Sequence, residues 1–156
     1  MSTLPDGAAG AAPPWLVTDT QVVLDWLVFH DAAARPLLRA VQDGRLRWLA
    51  TAVMRAELGR MLGHPSLVHW PHDPEEALTF FDSHSTLAPE PAAPPARRLV
   101  CSDKDDQIFI DTALVHRATW LVTRDRALLK LRRKAFVYGL HIVRPAEWRE
   151  VADGGA

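Results

Sequence analysis

Leu16-Val17-Thr18-Asp19 and Leu121-Val122-Thr123-Arg124-Asp125 are two copies of one short pattern. Each is an apolar run that ends in Thr and then delivers an Asp. A run of this length, closed by residues that favour helix caps, reads as a buried strand handing the chain to a helix. Capping alone accounts for one such Asp. Two matching ends on what should be central strands carry a further consequence, because both carboxylates would then meet at one edge of a sheet.

The chain around the two copies follows the same alternation. Helical spacing covers 20–30 (Val22, Val23, Trp26, Leu27) and a second helix covers 31–42, closed by Gly44. Residues 45–50 (RLRWLA) read as a strand. Thr51 caps a helix running to about Leu62, and 64–72 is a turn-rich loop. Asp73-Pro74-Glu75-Glu76 opens another helix, with Pro first and acids in the first turn. Residues 89–95 (PEPAAPP) form a stiff linker. A short strand at 98–101, a helix at 105–116, the strand at 120–123, a helix at 125–138, a strand at 140–143 and a final short helix from Pro145 complete the chain. Strands separated by helices imply a parallel sheet covered on both faces. The fold class is therefore α/β: a three-layer α/β/α sandwich around a central parallel sheet of four to five strands. Ligands in such sheets sit beyond the carboxyl ends of the strands.

Length and composition set the outer bounds. A chain of 156 residues suits one domain, expected over 15–150 between a disordered Ala/Gly/Pro-rich segment at 1–14 and a flexible tail at 151–156. The single Cys101 excludes an intramolecular disulfide framework and a zinc ribbon, and fits a reducing compartment. No apolar run approaches the roughly 20 residues that span a bilayer. Residues 1–14 lack the basic start and apolar core of a secretory signal, so a cytoplasmic location is expected. The net charge of −1 is a cancellation. Residues 1–116 hold 9 basic and 15 acidic side chains, while 117–149 hold 9 basic and only 2 acidic. Such a basic block is either a solvated helix face or a local footprint for a polyanion, since phosphate attraction follows the local field.

Three further acids stand out. Glu57 lies on the apolar stripe Val53, Met54, Leu58, Met61 and Leu62, where an unpaired carboxylate costs several kcal/mol unless a cation meets it. Arg60, three residues on, is the bland partner; a bound metal is the functional one. Asp103-Lys104-Asp105-Asp106 heads a helix with an apolar body, and three acids in four residues exceed what capping needs. Gathered at one sheet edge, Asp19, Glu57, Asp105, Asp106 and Asp125 would repel, so protons or divalent cations must neutralise them. Oxygen donors without Cys favour a hard ion, Mg²⁺ or Mn²⁺. His64, His69 and His72 fit no helix face and carry no metal argument. Asp111 is read as turned to solvent, and the six Trp residues as core and rim fillers, with Trp70 able to stack a base.

These residues, in this order, resemble the PIN domain superfamily. Asp19-Thr20, the helix bearing Glu57, Asp103-Lys104-Asp105-Asp106, Leu121-Val122-Thr123-Arg124-Asp125 and the ending Gly139-Leu140-His141-Ile142-Val143-Arg144-Pro145-Ala146-Glu147-Trp148 are similar to its branch of VapC-like toxins of toxin–antitoxin systems. The resemblance covers roughly 15–149. It implies a Mg²⁺- or Mn²⁺-dependent endoribonuclease acting on single-stranded RNA, with one or two ions, a homodimeric form and a small antitoxin partner. The family's acidic set falls on Asp19, Glu57, Asp106 and Asp125, with Asp105 as the extra acid and Thr123 as the strand-end hydroxyl. Gln21 stands where the family usually carries Asn or Ser, and its longer arm is expected to orient Asp19 more weakly. Arg124, Arg126 and Lys130, beside Asp125, are the candidate RNA-phosphate contacts. The alternative is a PIN-fold RNA- or protein-binding module with weak or no catalysis. A receiver-type phosphoacceptor needs a Lys after its last strand, where Arg144-Pro145 stands. A haloacid-dehalogenase-like phosphatase needs Asp-x-Asp, which Asp19-Thr20-Gln21 fails.

Overall fold

The computed structural model describes residues 12–91 and 98–150. The linker expected at 89–95 and the expected segments 1–14 and 151–156 lie largely outside these residues. Of the first segment, 12–14 are described, and the carbonyls of Pro13 and Pro14 accept hydrogen bonds from Arg47.

Five strands form one parallel sheet: β1 (Trp15–Thr18), β2 (Arg47–Ala50), β3 (Ser85–Leu87), β4 (Trp120–Val122) and β5 (His141–Val143). Their order across the sheet is β3-β2-β1-β4-β5. The central strands are apolar throughout. Leu16, Val17, Leu121 and Val122 are fully buried, as continuous apolar runs are when helices cover both faces of a sheet. Among the described residues seven α-helices connect and cover the strands: α1 (Thr20–Leu27), α2 (Arg35–Gln42), α3 (Ala52–Leu62), α4 (Pro74–His84), α5 (Gln107–Val115), α6 (Arg126–Leu129) and α7 (Arg132–Phe136). Edge-to-face packing of Trp48 against Trp26 of α1 and Phe81 of α4 knits β2 to both helices.

Strand order fixes where a ligand can sit. From β1 the chain moves outward one way to β2 and β3, then returns across β1 to β4 and moves outward the other way to β5. Parallel crossovers are right-handed, so the helices that leave β1 and β4 lie on opposite faces. A crevice opens between the carboxyl ends of these two strands, the switch point at which open α/β sheets bind ligands. Both copies of the repeated pattern end there.

Two expected elements differ. Residues 98–101 are not a strand, because the Gln107 side chain satisfies their backbone: its Oε1 accepts from the Cys101 N–H (2.7 Å) and its Nε2 donates to the Leu99 carbonyl (2.8 Å). The remaining strand is β3, a half-exposed edge piece that follows α4 without a break. The helix expected over 125–138 divides at Leu131, where the backbone turns to φ −87, ψ 1 and the N–H reaches only three residues back, to Leu128. Among the described residues no helix is long and apolar enough to cross a membrane.

Candidate metal centre

Asp19 follows β1 directly and its backbone N–H still pairs with the Val122 carbonyl of β4 (3.2 Å). The side chain is buried and caps α1 by accepting from the Val22 N–H at 2.9 Å. Its second oxygen accepts from the Thr123 hydroxyl (2.5 Å) and the Arg124 N–H (3.3 Å). Burial pushes the Asp19 carboxyl above its ordinary range, against the lowering effect of these three donors. Thr123 is fully buried, and its oxygen also accepts the Asp125 N–H at 2.9 Å. One hydroxyl thus fixes both strand ends. Asp125 is half-buried and caps α6 through the Ala127 N–H at 2.7 Å.

The turn Lys104–Asp106 brings the third group to the same place. Asp103 caps this turn through the Asp105 N–H at 2.9 Å. Carboxylate oxygens of Asp103, Asp106 and Asp125 all lie within 4.8 Å of one another. Burial, then the neighbouring carboxyls of Asp125, Asp103 and Asp19, push Asp106 up to about 8. No Lys, Arg or His pairs with Asp19, Asp103, Asp105, Asp106 or Asp125 among the described residues.

A cleft of about 400 Å³ gathers the rest of the expected set: Asp19, Gln21, Glu57, Asp105, Asp106 and Asp125 all line it. Glu57 occupies the rim. It is ion-paired to Arg60, with 37% of its side chain exposed. The stripe that placed it in the core fails at Val53, which is 51% exposed. Gln21 does not orient Asp19; its amide donates to Asp25 one helical turn on, at 3.1 Å. Arg124 is not a free cation either, since its Nη1 reaches both oxygens of Asp25 at 3.0 and 2.9 Å. Arg126 and Lys130 line a separate hollow of about 440 Å³ with Leu129, Arg132 and Arg144.

Two acids were passed over in the sequence and a third was misread. Asp103 joins the close trio, although the resemblance gave roles only to Asp105 and Asp106 of that run. Asp25 is buried at 1% exposure, and Asp111 is buried too, held by Gln107 (2.9 Å) and Arg98 (3.3 Å) rather than turned to water. Asp25 and Asp111 each follow three apolar residues, Val22-Val23-Leu24 and Ile108-Phe109-Ile110, and that context was the available signal. Cys101 is buried, which pushes its thiol up and away from reactivity.

The donor chemistry fits a divalent ion. Among the described residues Asp106 Oδ2 is buried with no hydrogen-bond partner, and three carboxylates crowd together without a cationic side chain. All the donors are oxygens, the set preferred by Mg²⁺ and Mn²⁺. Asp106 and Asp125, with Asp19 and Asp103 beside them, are the residues able to hold such an ion.

A PIN-domain family profile matches residues 16–127. The fold is similar to a chain in the crystal structure of VapBC2 from Rickettsia felis bound to a DNA fragment from their promoter. The TM-score is 0.54 at 14% identity, over 82% of this chain and 96% of that one. No curated protein matches the chain.

Proposed function

The chain belongs to the PIN-domain family, and from that premise we propose that it is a Mg²⁺- or Mn²⁺-dependent endoribonuclease of single-stranded RNA, the toxin of a cytoplasmic toxin–antitoxin pair. The carrying observation is the buried, unpartnered Asp106 Oδ2 inside a cluster of carboxylates at the sheet's switch point. A divalent ion bound there would activate water and offset the charge that develops on the phosphate. Asp19, Asp106 and Asp125 hold it, Asp103 and Asp105 add negative charge at the entrance, and Glu57 serves a second ion or orients water. The Thr123 hydroxyl keeps Asp19 and Asp125 at a fixed relation. Arg126 and Lys130 draw the RNA backbone alongside, and Arg124, half exposed while paired to Asp25, adds positive charge next to Asp125.

Two features support a protein partner. The resemblance to the toxin branch is one, and the likeness to a chain of the VapBC2 complex is the other. A homodimer belongs to the same reading. A second reading, a PIN-fold binding module with weak or no catalysis, draws on Gln21, whose amide is committed to Asp25 instead of Asp19.

Cleavage of single-stranded RNA in Mn²⁺ separates the two readings. Wild type should cleave, and both Asp19→Asn and Asp125→Asn should lose cleavage. Unchanged cleavage in both variants would refute the nuclease. No wild-type cleavage, together with no Mn²⁺-induced thermal shift, would favour the binding module.

A further inference from the structure

Asp25 is the most deeply buried carboxylate among the described residues, and it does not line the acidic cleft. It sits inside α1, where an apolar residue would bury without electrostatic cost. A carboxylate at this depth must either keep a proton or meet a cation, because an unpaired charge there is strongly destabilising. The cation comes from 99 residues away: Arg124 Nη1 meets both Asp25 oxygens at 3.0 and 2.9 Å.

The position of Arg124 gives this pair its meaning. The residue stands between Thr123 and Asp125, and its peptide N–H donates to Asp19 Oδ2 at 3.3 Å. Asp19 in turn caps α1, the helix that carries Asp25. The ion pair therefore ties the helix governed by Asp19 to the loop that delivers Asp125, and it does so from outside the cleft. Gln21 links the two places, since it lines the cleft and donates to Asp25.

We propose that Asp25 and Arg124 form a latch that fixes the separation of Asp19 from Asp125 and thereby selects a small divalent ion over a larger one. Both are positioning residues, and the proposal rests on the metal reading given above. Mg²⁺ demands near-octahedral oxygens at roughly 2.0–2.1 Å, whereas Ca²⁺ accepts longer and more variable distances. A site whose two carboxylates are held rigidly favours the first. A slackened site loses that preference while keeping its charge, so Ca²⁺ binding survives.

Calorimetric titration of the full chain with Mg²⁺ and with Ca²⁺ tests the latch, with a melt in chelator to report folding. The double variant Asp25→Asn/Arg124→Gln removes both charges together and strands neither in the interior. Arg124→Lys keeps the charge but loses the planar fork. Mg²⁺ affinity should fall by about 10-fold or more in the double variant, the usual cost of losing an outer support of a metal ligand. Ca²⁺ affinity should change by less than about threefold. Arg124→Lys should fall between wild type and the double variant in Mg²⁺-to-Ca²⁺ ratio, and it decides by that ratio if the double variant does not fold. Equal losses for the two ions, or an unchanged Mg²⁺ affinity, would overturn the latch and leave the metal reading standing. A wild-type chain that binds neither ion would overturn the metal reading, and the latch with it.

Discussion

At the carboxyl end of β1, Thr18 carries a buried hydroxyl with no hydrogen-bond partner, and Asp19 is a buried acceptor of three donors. At the carboxyl end of β4, the equivalent Thr123 hydroxyl serves both Asp19 and the Asp125 N–H, and Asp125 faces the trio with Asp103 and Asp106. In sequence the two ends are nearly one pattern. In space they divide the labour: the β1 end supplies a carboxylate, and the β4 end supplies the hydroxyl and the peptide N–H that hold it, while the Arg124 guanidinium goes to Asp25 of α1. The difference arises from Arg124, the residue that the second copy has and the first lacks. It lengthens the step from Thr to Asp by one residue, and that residue places its peptide N–H on Asp19 and its guanidinium on Asp25.

The largest expected effect tests whether these unlike ends act as one site. Asp19→Asn and Asp125→Asn should each lower RNA cleavage by about 10³-fold, the scale on which a preorganised electrostatic contact is lost. The double variant should be no worse than either single one, because groups that act as a unit are not additive. Independent, multiplying losses in single-turnover kinetics would mean that the two ends do separate jobs, and the comparison would have to be redrawn.

A smaller effect breaks the apparent equivalence directly. Thr123→Val leaves the Asp125 N–H without its acceptor and Asp19 without its closest donor, so it should destabilise the chain by about 1–3 kcal/mol in denaturant melts. Thr18→Val removes a hydroxyl that has no partner and adds a methyl group to a buried site. It should be neutral or stabilising by up to about 1 kcal/mol. Opposite signs for one substitution at matched positions are the outcome to look for. Equal destabilisation by both would show that Thr18 is satisfied in solution and that the two ends are alike after all.

Much of this arrangement was legible in the letters. The apolar runs at 16–18 and 121–123 declared buried parallel strands, and strand–helix alternation declared the layers, since both follow from local periodicity. That Asp19 and Asp125 meet followed from topology alone. What escaped notice was set by side chains acting at a distance. Gln107 holds 99–101 in place of a strand ladder, and no local pattern announces that role. The short β3 has too little apolar character to be read as a strand. The burial argument applied to Glu57 was sound in principle and chose the wrong acid: Asp25, with apolar neighbours on both sides, is the buried one. Its partner lies 99 residues on, beyond the reach of any helical spacing rule.

The smallest effect sharpens the comparison by asking which strand end governs the proton on Asp106. Its carboxyl is pushed up to about 8, first by burial and then by Asp125, with Asp19 a weaker influence. In the unfolded chain the same group ionises near 3.8. The folded state therefore holds this proton more tightly, so its contribution to stability is complete below about pH 3.8 and is lost progressively as pH rises to about 8. Asp106 is only partly buried, and solvent screening reduces the effect to about 1 kcal/mol. In chelator, Asp106→Asn should gain on wild type in melting temperature as pH rises from 5 to 8, with no further gain above that. Added Mg²⁺ should reverse the wild-type trend, because the ion requires the carboxylate and displaces the proton. Asp125→Asn in the same series should flatten the pH dependence more than Asp19→Asn does. A difference between wild type and Asp106→Asn that stays constant from pH 5 to 9 would show that Asp106 ionises normally. Equal flattening by Asp19→Asn and Asp125→Asn would place the proton midway between the two ends rather than beside β4.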